Sequence, residues 1–151
     1  MNKEKLLQFL LEARTKTYAG DGGKVTPVFS DSDQLEYNRG DYFYRDVYYS
    51  GKRKFMGIET IYYKEEPVWS MSYFGSCNKD SKEVYDFLKQ ALLKNWDSVR
   101  TWKNVEWKKG GYKYVCKSDS KESIEKIVGT EEIFYKEQSL YQFFYGGGLI
   151  K

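Results

Sequence analysis

Apolar positions recur at helical spacing near the start of the chain. Leu6, Phe9, Leu10 and Ala13 predict a helix over residues 5–17, and Gly20-Asp21-Gly22-Gly23 stops it. Residues 24–40 are polar, with Pro27 and Ser/Asp clusters, and read as a long loop. The pattern then turns to short runs rich in Tyr, Phe, Val and Ile. Strands are expected at 42–49, 55–64 and 68–74, joined by turns at Ser50-Gly51-Lys52 and Glu65-Glu66-Pro67, as an antiparallel meander. Asp80 with Glu83 resembles a capping box, which opens a second helix over 81–94 with Val84, Tyr85, Leu88, Ala91 and Leu92 on one stripe. Residues 95–111 carry Trp96, Trp102 and Trp107 among Lys and Arg. They read as an irregular connection with at most a short extended piece. Three more strands are expected at 112–117, 125–136 and 140–145.

The second half repeats the first. A shift of 72 places Phe55–Gly75 on Ile127–Gly147 and pairs Gly57/Gly129, Glu59/Glu131, Ile61/Ile133, Tyr63/Tyr135, Lys64/Lys136, Glu65/Glu137, Tyr73/Tyr145 and Gly75/Gly147 as identities. Trp69/Tyr141 and Met71/Phe143 are like-for-like, and Tyr42-x-Tyr44 returns as Tyr112-x-Tyr114. Phe9-Leu10-x-x-Ala13 returns as Phe87-Leu88-x-x-Ala91. The expected fold is therefore α+β: two α-β-β-β repeats about a pseudo-twofold, with antiparallel sheet and two helices. They form a single domain over 1–151, with repeat one about 1–78 and repeat two about 79–151. Whether the sheet is one or two stays open.

Strand side chains alternate between faces. One face of the first meander holds Tyr42, Tyr44, Tyr48, Phe55, Gly57, Glu59, Ile61 and Tyr63, and a three-residue turn at Glu65–Pro67 adds Trp69, Met71 and Tyr73. Its counterpart holds Tyr112, Tyr114, Gly129, Glu131, Ile133, Tyr135, Tyr141, Phe143 and Tyr145. The opposite face, with Phe43, Val47, Met56, Ile58 and Phe74, is half apolar, so cover on both faces is expected. Gly57 and Gly129 inside strands mark bulges or a close approach.

Composition sharpens this picture. Tyr 15, Phe 9 and Trp 4 make 19% of the 151 residues aromatic. That content beside 31% charged residues excludes disorder. There is no histidine, which removes His-based triads and His metal sites. The net charge of +3 is too mild to argue for nucleic acid. The Trp96, Arg100, Trp102, Lys103 and Trp107 cluster could stack bases, but such Trp residues more often cover a core edge, so nucleic acid is not expected. Cys77 and Cys116 lack CxxC spacing and read as reduced thiols, which implies a cytoplasmic setting. No apolar run is long enough for a membrane helix, and the start of the chain lacks signal-peptide features. No metal or cofactor is expected.

A carboxylate on an aromatic face must be paired, hydrogen-bonded or protonated. A two-residue hairpin turn sets Tyr44 opposite Glu59, where its hydroxyl could donate, so both Glu59 and Glu131 could simply pin the sheet. The functional alternative is a small-molecule site for a cationic or aromatic ligand. Glu59 and Glu131 are its anchors, and Tyr44, Trp69, Tyr73, Tyr114, Tyr141 and Tyr145 its walls. Two further readings stay open: a protein-interaction or homodimer-forming module, and a hydrolase or isomerase using Glu59 and Glu131.

These residues carry a resemblance. Tyr18-Ala19-Gly20, Tyr42-x-Tyr44-x-Asp46-x-Tyr48, Phe55-x-Gly57-x-Glu59 and Pro67-x-Trp69-x-Met71-x-Tyr73-x-Gly75 are similar to a family of small bacterial domains of unknown function. So are Phe87-Leu88-x-x-Ala91-Leu92, Gly129-x-Glu131 and Gly147-Gly148-Leu149-Ile150. Members occur alone or behind a Cro/repressor-type helix-turn-helix; the resemblance implies no established activity, and that association implies an effector-sensing module. The chain departs from the pattern at Arg100-Thr101-Trp102, where an Arg-Gly-Pro piece is usual. By fold analogy only, halves lined with Tyr, Trp and Glu are similar to drug-binding regulator domains of the gyrase-inhibitor-like class.

Overall fold

The computed structural model describes residues 2–78 and 82–151. Asp80, expected to cap the second helix, lies outside the described residues. Helix α1 (Lys3–Lys16) starts at Asn2, whose side chain accepts from the Lys5 backbone N–H at 3.1 Å and so satisfies one of the free donors of the first turn. Strands β1 (Lys24–Val25), β2 (Asp33–Arg39), β3 (Tyr42–Ser50), β4 (Lys54–Tyr63) and β5 (Glu66–Cys77) follow. Helix α2 (Lys82–Lys94) precedes β6 (Val105–Lys109), β7 (Tyr112–Ser118), β8 (Lys126–Tyr135) and β9 (Gln138–Leu149).

All nine strands join one antiparallel sheet in the order β1-β2-β3-β4-β5-β9-β8-β7-β6. The fold is α+β with an open sheet. Each half carries more strand than the expected three. β2 lies in the stretch read as a loop, and β6 in the stretch read as irregular. Both were marked by hairpin dipeptides. Gly40-Asp41 joins β2 to β3 and Gly110-Gly111 joins β6 to β7, with positive φ at Gly40, Gly110 and Gly111. Leu35 and Tyr37, alternating with polar residues, are the period-two signal of β2.

The Lys64-Glu65 and Lys136-Glu137 turns are also two-residue hairpins, with positive φ at all four residues. The expected three-residue turn at Glu65–Pro67 does not form. Trp69, Met71 and Tyr73 still reach the face of Ile61 because the register shifts between Ile61 and Tyr62, so that Ile61 pairs with Trp69. A matching shift between Ile133 and Phe134 brings Tyr141 opposite Ile133. A bulge and a shorter turn give the same parity as a longer turn.

Both helices lie on one face. Phe9 of α1 stacks on Tyr37 and Tyr42 at 5.8 and 5.1 Å, and Phe87 of α2 on Trp107 and Tyr112 at 5.3 and 5.1 Å. Phe9 is fully buried, worth about 2 kcal/mol of transfer free energy. Trp107 thus packs against the core, Trp102 is half-buried beside it, and Trp96 is half-exposed. The opposite face is open, contrary to the expected double cover. Met56, Phe74 and Phe144 stand exposed in a row across β4, β5 and β9, with Ile58 exposed nearby. An antiparallel sheet tolerates this, since alternation lets one face carry the whole core.

The seam between the halves is the β5–β9 pair. Tyr73 pairs with Tyr145 there, two positions related by the shift of 72. The helices cover the flanks of the inner face and leave its middle, over the seam, for the site.

Candidate functional site

A cavity of about 250 Å³ opens over the seam. Its walls are Tyr18 after α1, Tyr48 of β3, Phe55 of β4, Tyr73 of β5, Tyr85 of α2, and Tyr141 and Phe143 of β9. Asp46, Arg100 and Lys52 supply its charged groups, and Ser50 and Gly51 at the β3–β4 hairpin also line it. The volume suits a small organic molecule. Burial raises the Tyr18, Tyr48, Tyr73 and Tyr141 hydroxyls above their ordinary values, Tyr48 to about 12, so these walls are neutral donors and acceptors near neutral pH.

Asp46 was not among the expected site residues. It sits opposite Glu59, because Ser50 pairs with Phe55 across the β3–β4 hairpin. The expected two-residue turn would have set Tyr44 there. Tyr44 pairs with Ile61 instead, yet its hydroxyl still hydrogen-bonds to Glu59. Asp46 is 4% exposed and accepts from the Tyr73 hydroxyl at 2.7 Å. Among the described residues no cation forms an ion pair with it. Burial raises its carboxyl to about 7, and the Glu59 charge adds to this. The Tyr73 hydrogen bond and then Arg100 and Arg14 oppose it. The sequence carried the signal, since Asp46 falls in the alternation between Tyr44 and Tyr48.

Gly57 makes room for this arrangement. A Cβ there would stand 2.5 Å from the Tyr73 hydroxyl oxygen and 2.6 Å from Tyr48 Cβ. Gly129 does the same for Tyr145, whose hydroxyl would lie 2.4 Å from an added Cβ. Both glycines pair directly with their tyrosines, in unbroken register. Close approach, not a bulge, explains them.

Glu59 and Glu131 lie under the site, each with an arginine. Arg14 Nη2 donates to Glu59 Oε2 at 2.8 Å, and Arg14 Nη1 donates to the Arg100 carbonyl at 3.0 Å. Arg100 donates to Glu131 Oε1 through Nε at 2.9 Å, and its Nη2 lies 2.8 Å from the same oxygen. Tyr114 donates to Glu131 Oε2. Burial works against the Arg100 charge, but Glu131 beside it outweighs that and raises Arg100 well above its ordinary value. Its φ of 55° is unusual for a side chain of this size, and its carbonyl and guanidinium are both held, which stabilises that backbone. Arg100 thereby ties α1 and β4 of one half to β8 of the other.

The expected site residues therefore divide. Tyr73 and Tyr141 line the cavity. Tyr44, Trp69 and Tyr114 are core, all at most 1% exposed, and the Trp69 indole donates to the Ile124 carbonyl. Tyr145 hydrogen-bonds with the Cys116 thiol at 3.3 Å. Glu59 borders a separate space of only about 20 Å³. Arg14 and Arg100 were not foreseen as the partners of Glu59 and Glu131, because nothing in their spacing marks a buried arginine.

Among the described residues no helix is long and apolar enough to cross a membrane, and no His/Cys/Asp/Glu group could hold a metal ion. Neither the curated proteins nor the solved structures gave a significant match to the chain. The family comparison did. Its match begins at Asp46 and runs through the seam strands and both glycines to residue 150. By that match over residues 46–150 the chain belongs to DUF5680, described as a domain of unknown function.

Proposed function

We propose that this protein is a small-molecule-binding domain whose ligand occupies the aromatic cavity over the β5–β9 seam. One observation carries the reading: a cavity of about 250 Å³ walled by five tyrosines and two phenylalanines, with the near-buried Asp46 among its lining groups. A purely structural seam would fill this space with side chains, since interiors are close-packed. The two-half organisation supports it. The pairing of Tyr73 with Tyr145 and the mirrored strand order favour a duplicated unit, and the join of two such halves is where ligand sites form in small domains. Glu59 and Glu131 serve this site as supports, each held by an arginine, rather than as ligand anchors. The same ion pairs leave neither carboxylate poised for acid–base work. An effector-sensing role, as the resemblance implies, is compatible with such a site.

The test is a thermal-shift screen of small aromatic and aliphatic molecules against the protein and its Ser50→Trp variant. Ser50 is exposed and lines the cavity, so an indole there blocks entry without touching the core. The expected outcome is at least one compound that stabilises the parent and not the variant. Compounds that stabilise both equally, or none that stabilise either, would sink the reading.

A further inference from the structure

The buried charges over the seam do not balance. Among the described residues the buried ionisable groups of charged type are Arg14, Arg100, Asp46, Glu59 and Glu131. Two guanidiniums meet two glutamates, at 2.8 Å in both pairs, and the third carboxylate has no cation of its own. That carboxylate, Asp46, is the acidic group lining the cavity. At the matching place in the second half, the residue opposite Glu131 is Cys116, a neutral thiol that burial pushes up. The odd charge is thus confined to the side where the cavity opens. A buried carboxylate without a cation is costly, and it is relieved either by a proton or by a cation brought from outside.

We propose that the ligand is a small primary or secondary amine, whose ammonium group ion-pairs with Asp46 while its body lies among Tyr48, Tyr73, Tyr141 and Phe143. This rests on the cavity being a ligand site. Several features of the site favour an ammonium over other groups. Aromatic faces attract cations. The Arg100 guanidinium lies 4.2 Å from the Phe143 ring centre and is spent on Glu131, and the other cation of the lining, Lys52, is exposed on the hairpin, so no buried cation of the site is left for an anionic ligand. The groups that act on Asp46 are Glu59 on β4, Tyr73 on β5, Tyr44 and Tyr48 on its own strand, Arg14 on α1 and Arg100 after α2. Leu35, its neighbour on β2, is apolar. Both positive charges in that set are already paired, Arg14 with Glu59 and Arg100 with Glu131. The charge that a bound ammonium meets is then that of Asp46 itself.

The proton and the ammonium compete for one carboxylate. In the free protein Asp46 is half protonated near pH 7. Amine binding therefore releases a proton below that pH, and affinity rises by about tenfold between pH 6 and 8.

The experiment is isothermal titration of the full chain with benzylamine, tyramine and tryptamine, and with benzyl alcohol and benzoate as neutral and anionic counterparts. The expected result is that an amine binds, that it binds more than tenfold tighter than benzyl alcohol and benzoate, and that its affinity rises from pH 6 to 8. Asp46→Asn should lower amine affinity at least tenfold and remove the pH dependence. Cys116→Ser, the control on the other half, should change neither. If benzyl alcohol or benzoate binds as well as the amines, or if Asp46→Asn leaves amine affinity unchanged, the amine proposal falls. Where such binding is still lost in Ser50→Trp, the cavity reading survives it. If no probe binds the parent, both fall.

Discussion

The two sides of the seam share a set of residues and differ at the group that meets the tyrosine. In the first, Tyr73 lies across Gly57 and donates to Asp46, opposite a Glu59 held by Arg14. In the second, Tyr145 lies across Gly129 and meets Cys116, opposite a Glu131 held by Arg100. Glycine, tyrosine, glutamate and arginine recur, and the group beside the tyrosine changes from carboxylate to thiol. The recurring parts are what a sheet needs to bury a glutamate on its inner face. The part that differs, Asp46 against Cys116, lines the cavity on one side only. Structure is carried by the likeness of the halves, and candidate chemistry by their difference.

The comparison can be broken first at the ion pairs. Glu131→Ala leaves Arg100 buried without its carboxylate, which costs about 3–5 kcal/mol. Glu59→Ala should cost less, by about 1 kcal/mol or more, because Asp46 stands opposite and can ionise against Arg14. Cys116 cannot do the same for Arg100. Urea unfolding of both variants measures this, and equal losses would show that Asp46 and Cys116 are interchangeable to their surroundings.

A smaller effect separates the halves by pH. The folded Asp46 carboxyl titrates near 7, above its unfolded value, so the folded state holds a proton that the unfolded chain gives up. Its contribution is fully present below the ordinary carboxylate range and is lost as pH rises through about 7, by roughly 3 kcal/mol between pH 5 and 8. Asp46→Asn should flatten the stability profile between pH 5 and 8 and gain stability at the upper end. Cys116→Ser should leave that slope as it is. A parent protein equally stable at both ends of this range would remove the distinction.

The smallest effect concerns the glycines. Gly129→Ala brings a Cβ to 2.4 Å from the Lys117 carbonyl oxygen, which is backbone, whereas Gly57→Ala meets side chains, Tyr73 and Tyr48. Both should destabilise by about 1–3 kcal/mol, Gly129→Ala the more. Only Gly57→Ala should also move the pH midpoint, by displacing the Tyr73 hydroxyl from Asp46. Thermal melts at several pH values separate the two outcomes.

Much of this was written in the chain. Leu6, Phe9, Leu10 and Ala13 mark α1, and the stripe from Val84 to Leu92 marks α2, because burial on one side of a helix forces that spacing. The alternation through Tyr42–Ser50 and Lys54–Tyr63 puts Glu59 on the aromatic face. The Gly40-Asp41 and Gly110-Gly111 dipeptides also carried β2 and β6, and a reading weighted to apolar runs passed over them. Asp46 was equally visible in the alternation, but its burial was not.

Register separated these outcomes. Period-two patterning assigns a residue to a face without reference to its neighbours, so faces follow from sequence alone. Which residue stands opposite which depends on the loop between strands, and the pairing of Ser50 with Phe55 put Asp46 where Tyr44 was expected. The pairing of arginines with glutamates spans 45 residues in one case and 31 in the other. No local pattern encodes contacts at that separation. The chain by itself determined the elements, their inner face and the glutamates upon it. Only the tertiary structure decided that those glutamates would be neutralised and that Asp46 would be left to face the cavity, because charge balance is a property of what packing brings together.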